Sequence, residues 1–196
     1  ADVLIQGCDT LPKLFLKVAA ERGDRIAMRE KDFGIWQAYT WADYRERAFE
    51  IAWGLLSLGL ERGDVVSIQS EDCREWLWAD VGAMLAGGVV NGIYPTYQSR
   101  QVEHTLTDSN CRFLFAEDEE QLDKYLEIEE QLPHIERVFV FDWTGLRDFE
   151  HDKVAPFDAL LAMGLEYGMD NPGVIERIAE EGSGDDLAAL VYTSGT

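Results

Sequence analysis

Hydrophobic and polar positions at the start of the chain predict a helix followed by a hairpin. Thr10 is a typical helix cap and Gly23 a typical helix stop, so residues 10–23 are expected to be helical. Two strand-like runs, Ile26–Glu30 and Trp36–Thr40, flank a turn-like Lys-Asp-Phe-Gly sequence and predict a β-hairpin. The apolar positions that carry the helical spacing are Leu11, Leu14, Phe15, Val18 and Ala19.

A second helix is predicted to begin directly after the hairpin. Thr40 and Asp43 have the spacing of a capping box, and Gly59 is the expected end of this helix. One face of the helix would then be apolar and turned towards the core. Its members are Tyr44, Ala48, Ile51, Ala52 and Leu55.

Four short apolar runs follow at nearly regular intervals, beginning at Val65, Val89, Arg112 and Arg137. Segments with helical spacing separate them, and one of these begins behind a cap at Asp118. Strands that alternate with helices in this way are typical of βαβ units. The fold class predicted is therefore α/β, with a mostly parallel sheet, flanking helices and an N-terminal β-hairpin.

The last third of the chain departs from this alternation. Trp143–Ala155 is polar and turn-like, and is expected to be a surface excursion. Two helices are predicted with proline at their first position, at Pro156 and Pro172. A loop at Glu180–Asp186 and a buried strand at Leu187–Thr193 complete the chain.

Composition narrows the classes of protein that fit. At 196 residues and 46% hydrophobic content, the chain can form one domain with a sizeable core. Its 38 Asp and Glu against 17 Lys and Arg give a net charge of -21. This charge repels phosphate backbones, so we expect no nucleic-acid partner. A solvated acidic surface is the simplest interpretation.

The cysteines indicate a reducing compartment. Three cysteines at Cys8, Cys73 and Cys111 are odd in number and lack C-x-x-C spacing, so neither a disulfide framework nor a zinc site is predicted. Cys73 and Cys111 are interpreted as small core residues. No apolar run approaches the roughly 18 residues that cross a membrane. We expect a cytoplasmic protein.

The most informative candidate site is the end of the chain. An apolar strand runs into Thr193, Ser194, Gly195 and Thr196, whose hydroxyl and backbone N–H groups suit a phosphate. An ordinary turn would have the same composition. Ser194 could also be a nucleophile, but Tyr192 stands where the G-x-S-x-G elbow of a hydrolase needs its first glycine.

Other clusters favour structural roles. The acidic run Glu117–Glu120 could bind a metal, but acidic residues at a helix start complement the helix dipole. Gly87 and Gly88 are interpreted as a helix stop. Of Trp76 and Trp78, one is expected to be buried. No metal ligand and no catalytic residue is predicted.

Several segments, in collinear order over nearly the whole chain, resemble the adenylate-forming enzymes, and among them bacterial long-chain fatty acyl-CoA synthetases. The end, Val191–Thr196, resembles the start of their phosphate-loop signature, which continues T-G-x-P-K-G. The other matching segments are Arg29–Lys31, Phe33–Gln37, Tyr39–Trp41, Glu75-Trp76, Gly92–Thr96, Ala116–Asp118, Gln121–Lys124 and Asp185–Leu187. The resemblance implies that residues 1–196 are the N-terminal part of an AMP-binding domain, truncated inside its phosphate-binding loop.

The resemblance also implies a function for the parent protein. Such an enzyme activates a long-chain fatty acid with Mg-ATP to an acyl-adenylate and transfers the acyl group to coenzyme A. Thr193, Ser194, Gly195 and Thr196 would then bind the β- and γ-phosphates of ATP. The chain alone is expected to be inactive and to bind neither ATP nor Mg2+ tightly. The parent could form a homodimer or associate peripherally with a membrane.

Two alternatives remain open at this point. The acid could be of another kind, because the residues that would select it are not expected within this chain. The alternation of strands and helices also fits a non-catalytic, flavodoxin-like binding module.

Overall fold

Two sheets organise the chain in a computed structural model that describes residues 4–193. The small sheet is the antiparallel hairpin of strands β1 and β2, and the large one is a parallel sheet of six strands. The strands are β1 Ile26–Asp32, β2 Ile35–Thr40, β3 Val65–Gln69, β4 Val89–Ile93, β5 Cys111–Ala116, β6 Arg137–Val140, β7 Val154–Pro156 and β8 Ala189–Leu190. The helices are α1 Leu11–Arg22, α2 Trp41–Ser57, α3 Arg74–Leu85, α4 Ser99–Asp108, α5 Glu119–Leu126, α6 Phe157–Asp170 and α7 Val174–Glu181.

The large sheet has the order β7-β6-β5-β3-β4-β8, and all its neighbouring strands are parallel. Alternate residues of β3, β4, β5 and β6 enter two separate cores, as in β3, where Val66 joins one core and Val65 the other. Helices α1, α2, α3, α6 and α7 cover the first face, and α4 and α5 cover the second. The predicted α/β class, parallel sheet and N-terminal hairpin are confirmed.

The predicted caps of the first two helices are present. The Thr10 hydroxyl oxygen accepts a hydrogen bond from the Lys13 N–H group. Thr40 and Asp43 form the reciprocal capping box at the start of α2. The predicted apolar face of α2 is buried in all its members, which are Tyr44, Ala48, Ile51, Ala52 and Leu55.

Helices α2 and α6 approach each other closely because glycines line their contact. A Cβ atom placed on Gly164 would lie 1.9 Å from the backbone oxygen of Glu50. One placed on Gly54 would lie 2.5 Å from a methyl carbon of Leu160. Neither helix could keep its position with a larger residue at these points.

Four predictions for the last third are wrong in detail. Residues 154 and 155, assigned to the surface excursion, belong to β7, which pairs with β6. Pro156 is the N-cap of α6 and the last residue of β7, so it does not occupy the first helical position. Pro172 lies before the cap of α7, because Gly173, in a left-handed conformation with φ of 76°, is the N-cap and the helix begins at Val174.

The fourth error concerns the strand at residues 187–193, predicted to be long and buried. Only residues 189 and 190 form β8, and Leu187 and Val191 are 59% and 82% exposed. This strand lies at the edge of the sheet and pairs with β4 alone. Its apolar composition therefore did not indicate burial within this chain.

Candidate functional site

The candidate site is a groove at the edge of the large sheet where β3, β4 and β8 end. Ligands of open α/β sheets bind at this edge, outside the carboxyl ends of the strands. The groove has a volume of about 380 Å³. Its lining comes from the loop after β3, from α3, from β4 and the residues after it, and from β8 and the residues after it.

Thr193, the first of the predicted phosphate-binding residues, is exposed just beyond β8. The residues before it, Val191 and Tyr192, line the groove. The other three predicted residues, Ser194, Gly195 and Thr196, lie outside the described residues. Phosphate binding by the four residues therefore stays a prediction.

Strand β8 is attached to the sheet by few contacts. Ala189 and Leu190 pair with Val90 and Asn91 of β4, and the Val90 N–H group donates to the Ala188 oxygen at 3.0 Å. Little side-chain burial accompanies these bonds, because Ala189 is exposed and Leu190 only half-buried.

A side-chain hydrogen bond connects the segment after β8 to α4. The hydroxyl group of Tyr192 donates to Asp108 Oδ2 at 2.7 Å, and Asp108 is the last residue of α4. Partial burial and the bond to this carboxylate raise the pKa of Tyr192 to about 12. Tyr192 therefore remains a protonated donor at neutral pH.

Helix α3 supplies one wall of the groove through Trp76 and Asp80. Gly92 of β4 faces this wall, and a Cβ atom there would lie 3.5 Å from the Trp76 ring. Burial raises the pKa of the Asp80 carboxyl to about 6. The wall thus combines an aromatic surface with a carboxyl group whose ionised form is disfavoured.

The loop after β3 is unsuited to a phosphate. The Glu71 N–H group, which a phosphate would need, donates instead to the carboxylate of Glu117 at 2.8 Å. Asp72 adds a further negative charge to the same loop. The strand order places this loop at the point where successive connections leave in opposite directions, which is where flavodoxin-like proteins bind their flavin.

The acidic run at residues 117–120 has the structural role that the sequence favours. Asp118 caps α5 by accepting a hydrogen bond from the Gln121 N–H group, and Glu119 and Glu120 occupy the first turn. Among residues 4–193 no group of three or more His, Cys, Asp and Glu is arranged to hold a metal ion.

Among the cysteines, tryptophans and glycines considered from the sequence, most have the predicted role and Cys73 does not. Cys111 is a core residue as predicted, and burial raises its pKa to about 11. Cys73 is not, because it is only partly buried and caps α3 by accepting a hydrogen bond from the Trp76 N–H group. Trp78 is the buried tryptophan of its pair, and Gly87 follows the end of α3 as expected. Within residues 4–193 no helix is both long and apolar enough to cross a membrane.

Two residues of the site were not identified as such from the sequence. Asp80 interrupts the apolar stripe of α3, and a carboxylate in such a stripe is a signal that could have been used. Asp108 gives no such signal, because its partner Tyr192 is 84 positions away along the chain.

Comparison with known proteins finds one matching family model and several similar curated proteins. The model of the family described as "AMP-binding enzyme" matches residues 15–196. The long-chain-fatty-acid–CoA ligase ACSBG1 of Bos taurus is 30% identical over 187 residues, covering 95% of this chain and 25% of that protein. The long-chain-fatty-acid–CoA ligase heimdall of Drosophila melanogaster is 32% identical over 193 residues, covering 95% and 28%. The chain thus spans about a quarter of the length of the curated relatives it matches.

The fold is shared with solved structures of other proteins. A crystal structure of the anthranilate CoA ligase AuaEII in complex with anthranoyl-AMP superposes with a TM-score of 0.70 at 18% identity. The match covers 94% of this chain and 32% of that one. At this identity the likeness establishes the arrangement of helices and strands.

Proposed function

Because the chain belongs to the AMP-binding enzyme family, we propose that it is the N-terminal part of the AMP-binding domain of a long-chain fatty acid–CoA ligase. The observation that carries this proposal is the naming of its relatives as long-chain-fatty-acid–CoA ligases over 95% of the chain. The position of Thr193 beside the groove at the carboxyl edge of the sheet supports it.

The proposed reaction has two steps. A carboxylate oxygen of the fatty acid attacks the α-phosphorus of ATP, and pyrophosphate leaves to give an acyl-adenylate. The sulfur of coenzyme A then attacks the acyl carbonyl carbon, AMP leaves, and the thiol proton passes to solvent. Positioning and neutralisation of the phosphate charge account for most catalysis of this kind.

Both ATP and coenzyme A are anionic, while the chain carries a net charge of -21. Binding therefore depends on local donors that outweigh this field over a short distance. Hydroxyl and backbone N–H groups at residues 193–196 would be such donors, and they are the proposed phosphate contacts. Mg2+ would be bound through the phosphate oxygens of ATP.

The test uses the longer protein that contains this chain. With ATP, coenzyme A and a series of fatty acids, we expect acyl-CoA and pyrophosphate in equal amounts, with long chains preferred. Thr193→Val should raise the KM for ATP about tenfold, the effect of losing one hydrogen bond to a charged group. Thr144→Val, which removes a hydroxyl from a distant exposed turn, is the control and should leave the KM unchanged. An absence of pyrophosphate release with every acid would contradict the proposal.

The 196-residue chain by itself should release no pyrophosphate and should bind ATP too weakly for calorimetry to detect at micromolar concentration. A micromolar dissociation constant would contradict this expectation. We also propose a reducing, cytoplasmic location, because the three cysteines are odd in number and lack C-x-x-C spacing.

Two features bear on the alternatives. The carboxylate that occupies the loop after β3 argues against a flavodoxin-like module, and native mass spectrometry with flavin mononucleotide should detect no complex.

The exposed apolar residues of the hairpin, Phe33 and Trp36, support association of the parent with itself or with a membrane. Light scattering and vesicle sedimentation would test these two forms of association. A panel of aromatic and shorter acids would test the other ligase specificities.

A further inference from the structure

We propose that Arg62 is a positioning residue for the phosphate loop, because it fixes the segment that leads into β8. The inference rests on the proposed function insofar as the residues after β8 bind phosphate. Arg62 lies in the turn before β3, at the opposite end of β8 from Thr193. Its effect on nucleotide binding would therefore be exerted through the strand and not by contact.

Arg62 connects three parts of the chain through its guanidinium group. Its Nη2 donates to the Ile178 backbone oxygen of α7 at 2.7 Å. Its Nη1 donates to Asp186 Oδ2 at 3.1 Å. The same Asp186 oxygen accepts from the Ser183 N–H group at 3.0 Å, which closes the loop before β8. The planar guanidinium group can hold both partners in a fixed relation, which a Lys ammonium group cannot do.

Within residues 4–193, side-chain packing contributes little to holding β8, so its attachment depends on polar contacts. Leu187 and Val191, on either side of β8, are largely exposed, and β8 pairs with β4 alone. The polar contacts of Arg62 and the bond from Lys13 Nζ to the Gly182 oxygen, at 2.8 Å, fix the loop from which β8 begins. A displacement of this loop would also displace the two residues of β8 and, beyond them, Thr193.

The chain offers a matched control for an ordinary surface ion pair. Arg45 and Glu176 also join two distant segments at 3.1 Å, and their side chains are 44% and 50% exposed, against 40% and 42% for Arg62 and Asp186. Arg45 connects α2 to α7 and has no bond to the loop before β8. A general effect of removing a surface ion pair would therefore appear equally at both sites.

Amide exchange in the 196-residue chain tests the anchor directly. The Val90 N–H group donates to Ala188, so its protection reports the attachment of β8. Arg62→Gln should speed its exchange about five- to tenfold, the effect of losing a charged hydrogen-bond pair at the surface. Amides of β5 should keep their protection. Arg62→Lys should restore part of the protection, and Arg45→Gln should match the unsubstituted chain.

In the longer protein, Arg62→Gln should raise the KM for ATP about fivefold, because binding of the phosphates is weakened. The kcat and the KM for the acid should stay within about twofold of the unsubstituted protein. Unchanged Val90 exchange in Arg62→Gln, or equal acceleration in Arg45→Gln, would overturn the anchor whatever reaction the protein catalyses. Faster Val90 exchange with an unchanged KM for ATP would overturn its link to the phosphate loop. If the longer protein activates no acid, the proposed function fails, but the exchange result still decides whether Arg62 holds β8.

Discussion

The hydroxyl group of Tyr192 donates a hydrogen bond to the carboxylate of Asp108 at 2.7 Å, joining residues 84 positions apart. Asp108 is the last residue of α4, where the negative end of the helix dipole disfavours a carboxylate. The tyrosine hydroxyl partly compensates this repulsion and holds the segment after β8 beside the groove. The pair thus joins the end of α4, on one face of the sheet, to the segment that leads to Thr193.

This relationship predicts coupled effects of two substitutions. Tyr192→Phe and Asp108→Ala should each speed amide exchange in residues 187–193 about threefold, because each removes the same partly exposed hydrogen bond. The double variant should show little more than either single variant. Tyr94→Phe, at a tyrosine that is 62% exposed beside the same groove, is the control. Hydrogen exchange with mass spectrometry measures all four, and additive effects would refute the coupling.

Asp80 predicts an unusual dependence of stability on pH. Burial raises the pKa of its carboxyl from the ordinary value of 3.8 to about 6, so the folded state favours the protonated form. Its contribution therefore destabilises the fold above pH 6 and is relieved as the pH falls from about 6 to about 4. Asp80→Asn should raise the free energy of unfolding by about 2 kcal/mol at pH 7.5 and by little at pH 4.

Urea unfolding at several pH values measures this difference. Asp123→Asn, at an exposed position of α5, is the control and should change stability by less than about 0.5 kcal/mol at either pH. A constant difference between Asp80→Asn and the unsubstituted chain from pH 4 to pH 7.5 would refute the assignment.

The close approach of α2 and α6 predicts a large cost for one added methyl group. Gly164→Ala should lower the free energy of unfolding by about 3 kcal/mol, because the new Cβ atom would meet the Glu50 oxygen at 1.9 Å. Glu166→Ala, on the exposed side of the same helix, should change stability by less than about 0.5 kcal/mol. Denaturant unfolding compares the two, and equal stabilities would show that the helices separate without cost.

Arg74 predicts a local effect on the hairpin. Its guanidinium group pairs with Glu30 of β1 at 3.1 Å, bonds to the Tyr39 hydroxyl of β2 and lies 5.7 Å from the centre of the Trp78 ring. Arg74→Gln should destabilise the attachment of the hairpin by about 1 to 2 kcal/mol. Arg29→Gln, at an exposed position of β1, should have little effect.

Amide exchange distinguishes a local effect of Arg74→Gln on the hairpin from a global loss of stability. Faster exchange confined to β1 and β2 would agree with the expected role of Arg74, because the large sheet does not depend on the hairpin for its strand pairing. Equal acceleration in β1 and β5 would indicate a global loss of stability and contradict it.

The fold class was predictable because the elements that define it are local. Thr40 and Asp43 cap α2 through atoms three residues apart, and the apolar positions of that helix follow from its period. The alternation of strands with helices likewise fixes a parallel sheet. These features depend on neighbours along the chain, which a sequence displays directly.

The structure of residues 154–156 and 187–191 could not be predicted from local patterns. The first segment is a three-residue strand because β6 offers it a free edge, and the second is exposed because it lies at the opposite edge. Whether a short apolar run is buried depends on which strands lie beside it, and that order is not written in any local pattern.

The sequence by itself determined the family, the two classes of sheet, the helix caps and the place where phosphate binding is expected to begin. Only the tertiary structure decided that Asp80 enters the groove wall, that Glu117 occupies the loop after β3, and that Arg62 and Asp108 hold the two ends of the segment carrying β8. Caps and periodicities arise from interactions within one turn of chain, whereas these contacts join segments that only the complete packing of the sheet and helices brings together.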